Sequence, residues 1–155
     1  MSTEKRILWI DDRINHASMW GYKERLEQNG FSVTPAETID EAFSLMQDTS
    51  IDWAGIIVDI AIPPSRATRG KAARFGPGST ENGSRAGYVL LKAIGDDPDL
   101  AHLRGVPIIV FKQVSNIDTE PLTKHCMLKK IPILHKTGEK RIEDAVQEHF
   151  QGKKR

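Results

Sequence analysis

Five short apolar runs recur along the chain, and polar stretches with a different rhythm separate them. RILWI (residues 6–10), IIV within GIIVDIAIPP (55–64), PIIVF (107–111) and IPILH (131–135) are rich in Ile and Val, while FSVTPA (31–36) alternates like a half-buried strand. Runs that are apolar on both sides of the pleat predict strands covered on both faces. Between them the spacing turns helical. Residues 14–29 carry Ile14, Ala17, Leu26 and some of Met19, Trp20 and Tyr22 on an inward stripe, with Asn29-Gly30 as a stop. Thr38 and Glu41 stand at capping-box spacing before EAFSLM, which predicts a helix to about Asp48. YVLLKAI predicts a third from Ala86, a short one falls within 119–128, and the last, roughly 139–150, presents Ile142, Ala145, Val146 and Phe150 on one face. Strands alternating with helices imply right-handed crossovers and an α/β, doubly wound, five-stranded parallel sheet in three layers.

The pattern breaks once. Residues 63–87 are dominated by Pro, Gly, Ser and Thr, and Arg66, Arg69, Lys71 and Arg74 precede the first acid, Glu81. This predicts a long basic loop at about 65–86 inside a single domain spanning 1–155. With so few apolar residues, ordering entropy has little to offset it, so the loop is expected to be mobile and to be the first site of tryptic cleavage. A solvated insertion and a basic surface for a partner or nucleic acid are both open readings; the cations lack interleaved aromatics, so support for nucleic acid is weak.

Composition narrows the class. The 155 residues are 39% hydrophobic and 28% charged, enough for one core, and a net charge of +1 gives no global electrostatic address. No apolar run approaches the roughly 20 residues of a membrane span, and MSTEKR leads directly into a strand, so a cytoplasmic protein with no membrane partner is expected. The single cysteine, Cys126, excludes an internal disulfide and a multi-cysteine zinc site, and reads as a structural thiol.

Candidate chemistry sits at strand ends. An unpaired carboxylate inside a doubly covered strand would cost on the order of several kcal/mol, so Asp59 belongs at the carboxyl end, facing a ligand, a metal or other polar groups. Asp11 and Asp12 end the first strand, Lys112 follows the fourth and Lys136 the fifth. In open α/β sheets ligands bind at these ends. Three converging carboxylates call for a cation, and Mg²⁺, which takes one or two carboxylates and keeps waters, leaves room for a phosphoryl oxygen. Carboxylates also serve as nucleophiles for phosphoryl groups, which points to phosphoryl transfer onto Asp59. A helix cap is the simpler reading of one of the first two acids.

In ILWIDD, IIVDIAIPP and ILHK the chain resembles the receiver domain of two-component response regulators. The separations agree: 47 residues from Asp12 to Asp59 (59 minus 12) and 24 from Lys112 to Lys136 (136 minus 112). The resemblance implies a flavodoxin-like receiver fold, Asp59 as phosphoacceptor, Asp12 as a direct Mg²⁺ ligand, Asp11 as a ligand through water, Ala61 as a ligand by its carbonyl, and Lys136 on the phosphoryl group. It implies a histidine kinase or phosphotransfer protein as donor and, with no effector domain in these residues, output through contacts with a further protein. The chain departs from the family pattern where Lys112 replaces a Ser or Thr, Ile133 a switching aromatic and Thr137 a proline. Lys112 then reads either as a second ammonium beside Asp59 or as a solvated lysine. Three functions follow: a stand-alone phosphoacceptor, a phosphorylation-independent receiver-like binding module, and a Mg²⁺-dependent phosphoryl-transfer enzyme.

Overall fold

A computed structural model describes residues 5–66, 75–80, 83, 85–112, 120–136 and 140–150. Strands β1 (Lys5–Ile10), β2 (Phe31–Ala36), β3 (Trp53–Val58), β4 (Ile108–Lys112) and β5 (Ile133–His135) form one sheet in the order β2-β1-β3-β4-β5. Every pairing is parallel. The doubly wound sheet expected from the apolar runs is therefore the fold.

Alternation along β1 distributes the core between two layers. Leu8 and Ile10, with Ile56, Val58, Ile108 and Val110, pack beneath α2 (Ile39–Gln47), α4 (Ala86–Asp96) and α5 (Glu120–Lys129). Ile7 and Trp9, with Ile57, Ile109 and Phe111, pack on the other face under α1 (Trp20–Gln28) and α6 (Ile142–Phe150). Successive side chains of a strand point to opposite faces, so four apolar residues in a row, Ile7 to Ile10, build both layers. β2 is an edge strand, which is why it accommodates Pro35 opposite Trp9.

Local signals read from sequence are realised in part. Thr38 caps α2 by accepting from the Glu41 N–H at 3.1 Å, and the Glu41 carboxylate reaches back to the Glu37 N–H at 2.7 Å. Ile142, Ala145, Val146 and Phe150 are buried as expected. The first helix is shorter than its expected span: residues 14–16 form turns, Ala17–Met19 is a 3-10 turn, and α1 begins at Trp20. Asp11 causes this by accepting the Arg13 N–H on its side chain at 2.9 Å and the Ile14 N–H on its carbonyl, a side-chain turn that competes with helix. Ala17 and Trp20 consequently face outward, while Ile14, Met19 and Leu26 are buried. Pro98–Leu103 adds a 3-10 segment before β4 where the apolar pattern predicted only a lead into the strand.

In the long segment after β3, the described residues are held more closely than its composition suggests. Its described ends are docked: Phe75 is fully buried against the Phe43 ring of α2 at 5.2 Å, and the Ser65 N–H donates to the Phe75 carbonyl at 2.8 Å. Asp40 accepts from the Ser65 hydroxyl and the Arg66 N–H, and Pro77–Thr80 forms one helical turn, α3, with Thr80 buried. Composition averaged over the segment obscured one aromatic anchor. Arg69, Lys71 and Arg74, three of the four cations singled out, lie outside the described residues, as do Thr137 and residues 151–155.

Candidate functional site

The carboxyl ends of β1, β3 and β5 converge at one edge of the sheet. Asp11 follows β1 directly and hydrogen-bonds through its N–H to the Ala36 carbonyl at 3.0 Å. Asp59 follows β3 and donates its N–H to the Ile10 carbonyl at 2.9 Å, so the two acids are held by adjacent strands in fixed register. Asp12 lies beside them, exposed. Carboxylate oxygens of Asp11, Asp12 and Asp59 fall within 4.8 Å of one another, with Asp11 fully buried and Asp59 4% exposed. Lys136, just past β5, places its Nζ 2.7 Å from Asp11 Oδ2 and 3.0 Å from Asp59 Oδ2. The Ala61 N–H points to Asp59 Oδ1 at 3.4 Å.

The electrostatics follow from burial and charge count. Desolvation pushes the Asp59 carboxyl up from its ordinary 3.8 to about 6; Lys136 works against this and Asp11 adds to it. Burial and then Asp11 raise Asp12. Burial opposes the charge on Lys136, but Asp59 and Asp11 outweigh it and hold the ammonium above its usual range. Among the described residues, Lys136 is in ion-pair contact with two of these three carboxylates, Asp11 and Asp59. Asp11 Oδ2, although in ionic contact with Lys136, is buried without an aligned hydrogen-bond donor among the described residues. Three clustered carboxylates, one offering a buried oxygen that has no aligned donor among the described residues beyond its ionic contact with Lys136, fit a hard divalent cation such as Mg²⁺.

Lys136 is itself positioned from below. Its N–H donates to the Lys112 carbonyl at 2.8 Å, and its carbonyl accepts from the Tyr22 hydroxyl at 3.4 Å. Tyr22 in turn packs edge-on against Phe111 and beside Trp9. Lys112, the last residue of β4, is 3% exposed, so the solvated-lysine reading fails. Lys136 is in ion-pair contact with Asp59.

Sequence reasoning missed two contributors. Tyr22 was expected only as a possible inward-facing residue, and its hydroxyl contact crosses 114 positions. Gly87 sits in the first turn of α4, where its N–H donates to the Ile60 carbonyl at 2.8 Å, and a Cβ there would lie 2.3 Å from the Asp59 carbonyl oxygen. A glycine is a poor helix former, so its place in the opening turn was the available signal. Cys126 is buried, and desolvation raises its thiol to about 11, in keeping with a structural role.

Five parallel strands in this order, with acids at the ends of β1 and β3 and a lysine after β5, define a doubly wound α/β protein with its site at the strand carboxyl ends. More closely, the chain has the receiver fold of response regulators. It is similar over 96% of its length to the signal receiver domain of a protein described as a Luxo repressor from Vibrio parahaemolyticus, covering 92% of that chain at 16% identity and a TM-score of 0.64. It is similar over 94% of its length to a CheY-like response regulator receiver domain protein from Methanospirillum hungatei JF-1, covering 90% of that chain at 18% identity and a TM-score of 0.58. A response regulator protein from Burkholderia pseudomallei, solved with a phosphorylated aspartic acid, calcium ion and citrate, matches 94% of this chain and 72% of its own at 18% identity and a TM-score of 0.52. No protein family and no curated protein matches the sequence. No helix among the described residues is long and apolar enough to cross a membrane.

Proposed function

We propose that this chain is a response regulator receiver that accepts a phosphoryl group on Asp59 with Mg²⁺ and signals through protein contacts rather than by catalytic turnover. The observation carrying this reading is the joint placement of Asp11, Asp12 and Asp59 within 4.8 Å, with the Lys136 ammonium 3.0 Å from Asp59. Asp11, Asp12, Asp59 and the Ala61 carbonyl would hold the cation, which supplies charge neutralisation for the incoming phosphoryl oxygens. In the step itself an ionised Asp59 oxygen attacks phosphorus and the bond to the donor's leaving group breaks. Lys136 stays in contact with the carboxylate and offers its remaining protons to the transferred group. The donor would be a histidine kinase or a phosphotransfer protein, and the Burkholderia relative, which carries a phosphorylated aspartic acid, supports the assignment by analogy.

Intact-protein mass spectrometry after incubation with acetyl phosphate and Mg²⁺ tests it. The protein gains one phosphoryl group and Asp59→Ala does not; unchanged labelling of Asp59→Ala would eliminate Asp59 as acceptor. A second reading, a receiver-like module that works unphosphorylated, is favoured by the buried Lys112 in place of a hydroxyl residue. Failure of the wild type to accept phosphate under these conditions, with its fold intact, selects that reading.

A further inference from the structure

Opposite the acidic edge, a cavity opens at the amino ends of β4 and β5, with a volume of about 380 Å³. That is within the range of about 300–1,000 Å³ occupied by small-molecule sites. Its floor is apolar and buried, formed by Leu91 and Ile94 of α4, Leu103, and Ile108 of β4. Its rim is cationic: Arg104, Lys129 and Lys130 are exposed there, and His125 is half-buried beside them. The Arg104 guanidinium is held in place by the carbonyls of Ile94 and Asp97 at 3.0 and 3.2 Å.

One backbone feature sets this rim apart. Lys130 has a φ of +59°, alone among the described non-glycine residues in the left-handed region. It ends α5: the Ile131 N–H bonds to the Cys126 carbonyl at 2.8 Å and the Lys130 N–H to the Met127 carbonyl at 3.3 Å, the closing pattern in which glycine is preferred. A lysine here carries backbone strain in return for a positive charge at the cavity mouth, and strain held at one point is a pointer to function. Glycine would close the helix equally well.

We propose that this cavity binds a small organic anion with an apolar body, seated on Leu91, Ile94 and Ile108 and held at its charged end by Lys129, Lys130 and Arg104. The apolar floor alone would accept a neutral molecule; the three cations around it select for the anion. Asp59 does not line this cavity, and the proposal does not rest on the phosphoacceptor reading.

The probe is 1-anilinonaphthalene-8-sulfonate, compared by fluorescence titration with N-phenyl-1-naphthylamine, the same rings without the sulfonate. One sulfonate probe binds per chain, and the neutral analogue binds about tenfold or more weakly, as expected for loss of one charge-assisted contact. Lys129→Gln and Lys130→Gly each weaken the sulfonate and leave the neutral analogue unchanged. Lys130→Gly also raises the thermal midpoint, so lost binding cannot be lost folding. Gly95→Trp places a ring on the cavity wall at a position where a Cβ meets nothing within 4 Å, and abolishes binding of both probes. Equal affinity for the two probes, or sulfonate binding unchanged by Lys130→Gly or by Gly95→Trp, overturns the proposal. So does its loss in Met127→Ser, which would put the probe on the outward face of α5.

Discussion

At the scale of the residue, Asp59 is where sequence and environment conflict most. In metal-free protein its carboxyl is raised to about 6 in the fold, so the folded chain binds a proton more tightly than the unfolded chain, whose value is near the ordinary 3.8. Stability contributed by the neutral form is complete below the unfolded value and is lost as pH rises through the folded one, a total of roughly 3 kcal/mol. Asp59→Asn removes that cost. Its stability relative to wild type, measured by urea unfolding in chelator, therefore increases by up to about 3 kcal/mol from pH ~4 to pH ~7. A difference constant with pH refutes this account. The carboxylates and Lys136 were legible in sequence because each directly follows an apolar run, and a parallel sheet gathers such positions at one edge. Tyr22 and Gly87 were not, because their roles depend on contacts between elements far apart in the chain.

Elements were legible where periodicity was strong and obscure where one side chain decided the outcome. The strands and α2 follow from alternation and a capping box; the turn at Asp11 displaced the expected helix start because a single carboxylate offered the backbone another partner. The segment after β3 shows the same effect on a larger scale. Phe75, enclosed by α2, ties its described ends to the core although its average composition is polar. Phe75→Ala is expected to cost about 3 kcal/mol or more in chemical denaturation, as for other buried aromatics. It should also accelerate tryptic cleavage within residues 65–86; a loss under about 1 kcal/mol would mean that Phe75 covers the core without holding the segment.

The whole molecule separates its two candidate sites to opposite edges of one sheet, acidic at the carboxyl ends and cationic at the amino ends of β4 and β5. Mg²⁺ should stabilise the fold by mass action, by about 2.7 kcal/mol at a hundredfold excess over its dissociation constant, and Asp12→Ala should remove most of that gain. A thermal midpoint insensitive to millimolar Mg²⁺ argues against the cluster as a cation site. The helix between the edges has a consequence of its own. At its first turn α4 is seated on the peptide of Asp59 and Ile60, with no room at Gly87 for even a methyl group, and its last turns supply Leu91, Ile94 and Gly95 to the distant cavity. Eleven residues of helix form a strut about 16 Å long. Under the two proposals above, any factor by which phosphorylated Asp59 changes probe affinity through this helix must reappear, unaltered, as the factor by which the bound probe changes the phosphorylation equilibrium.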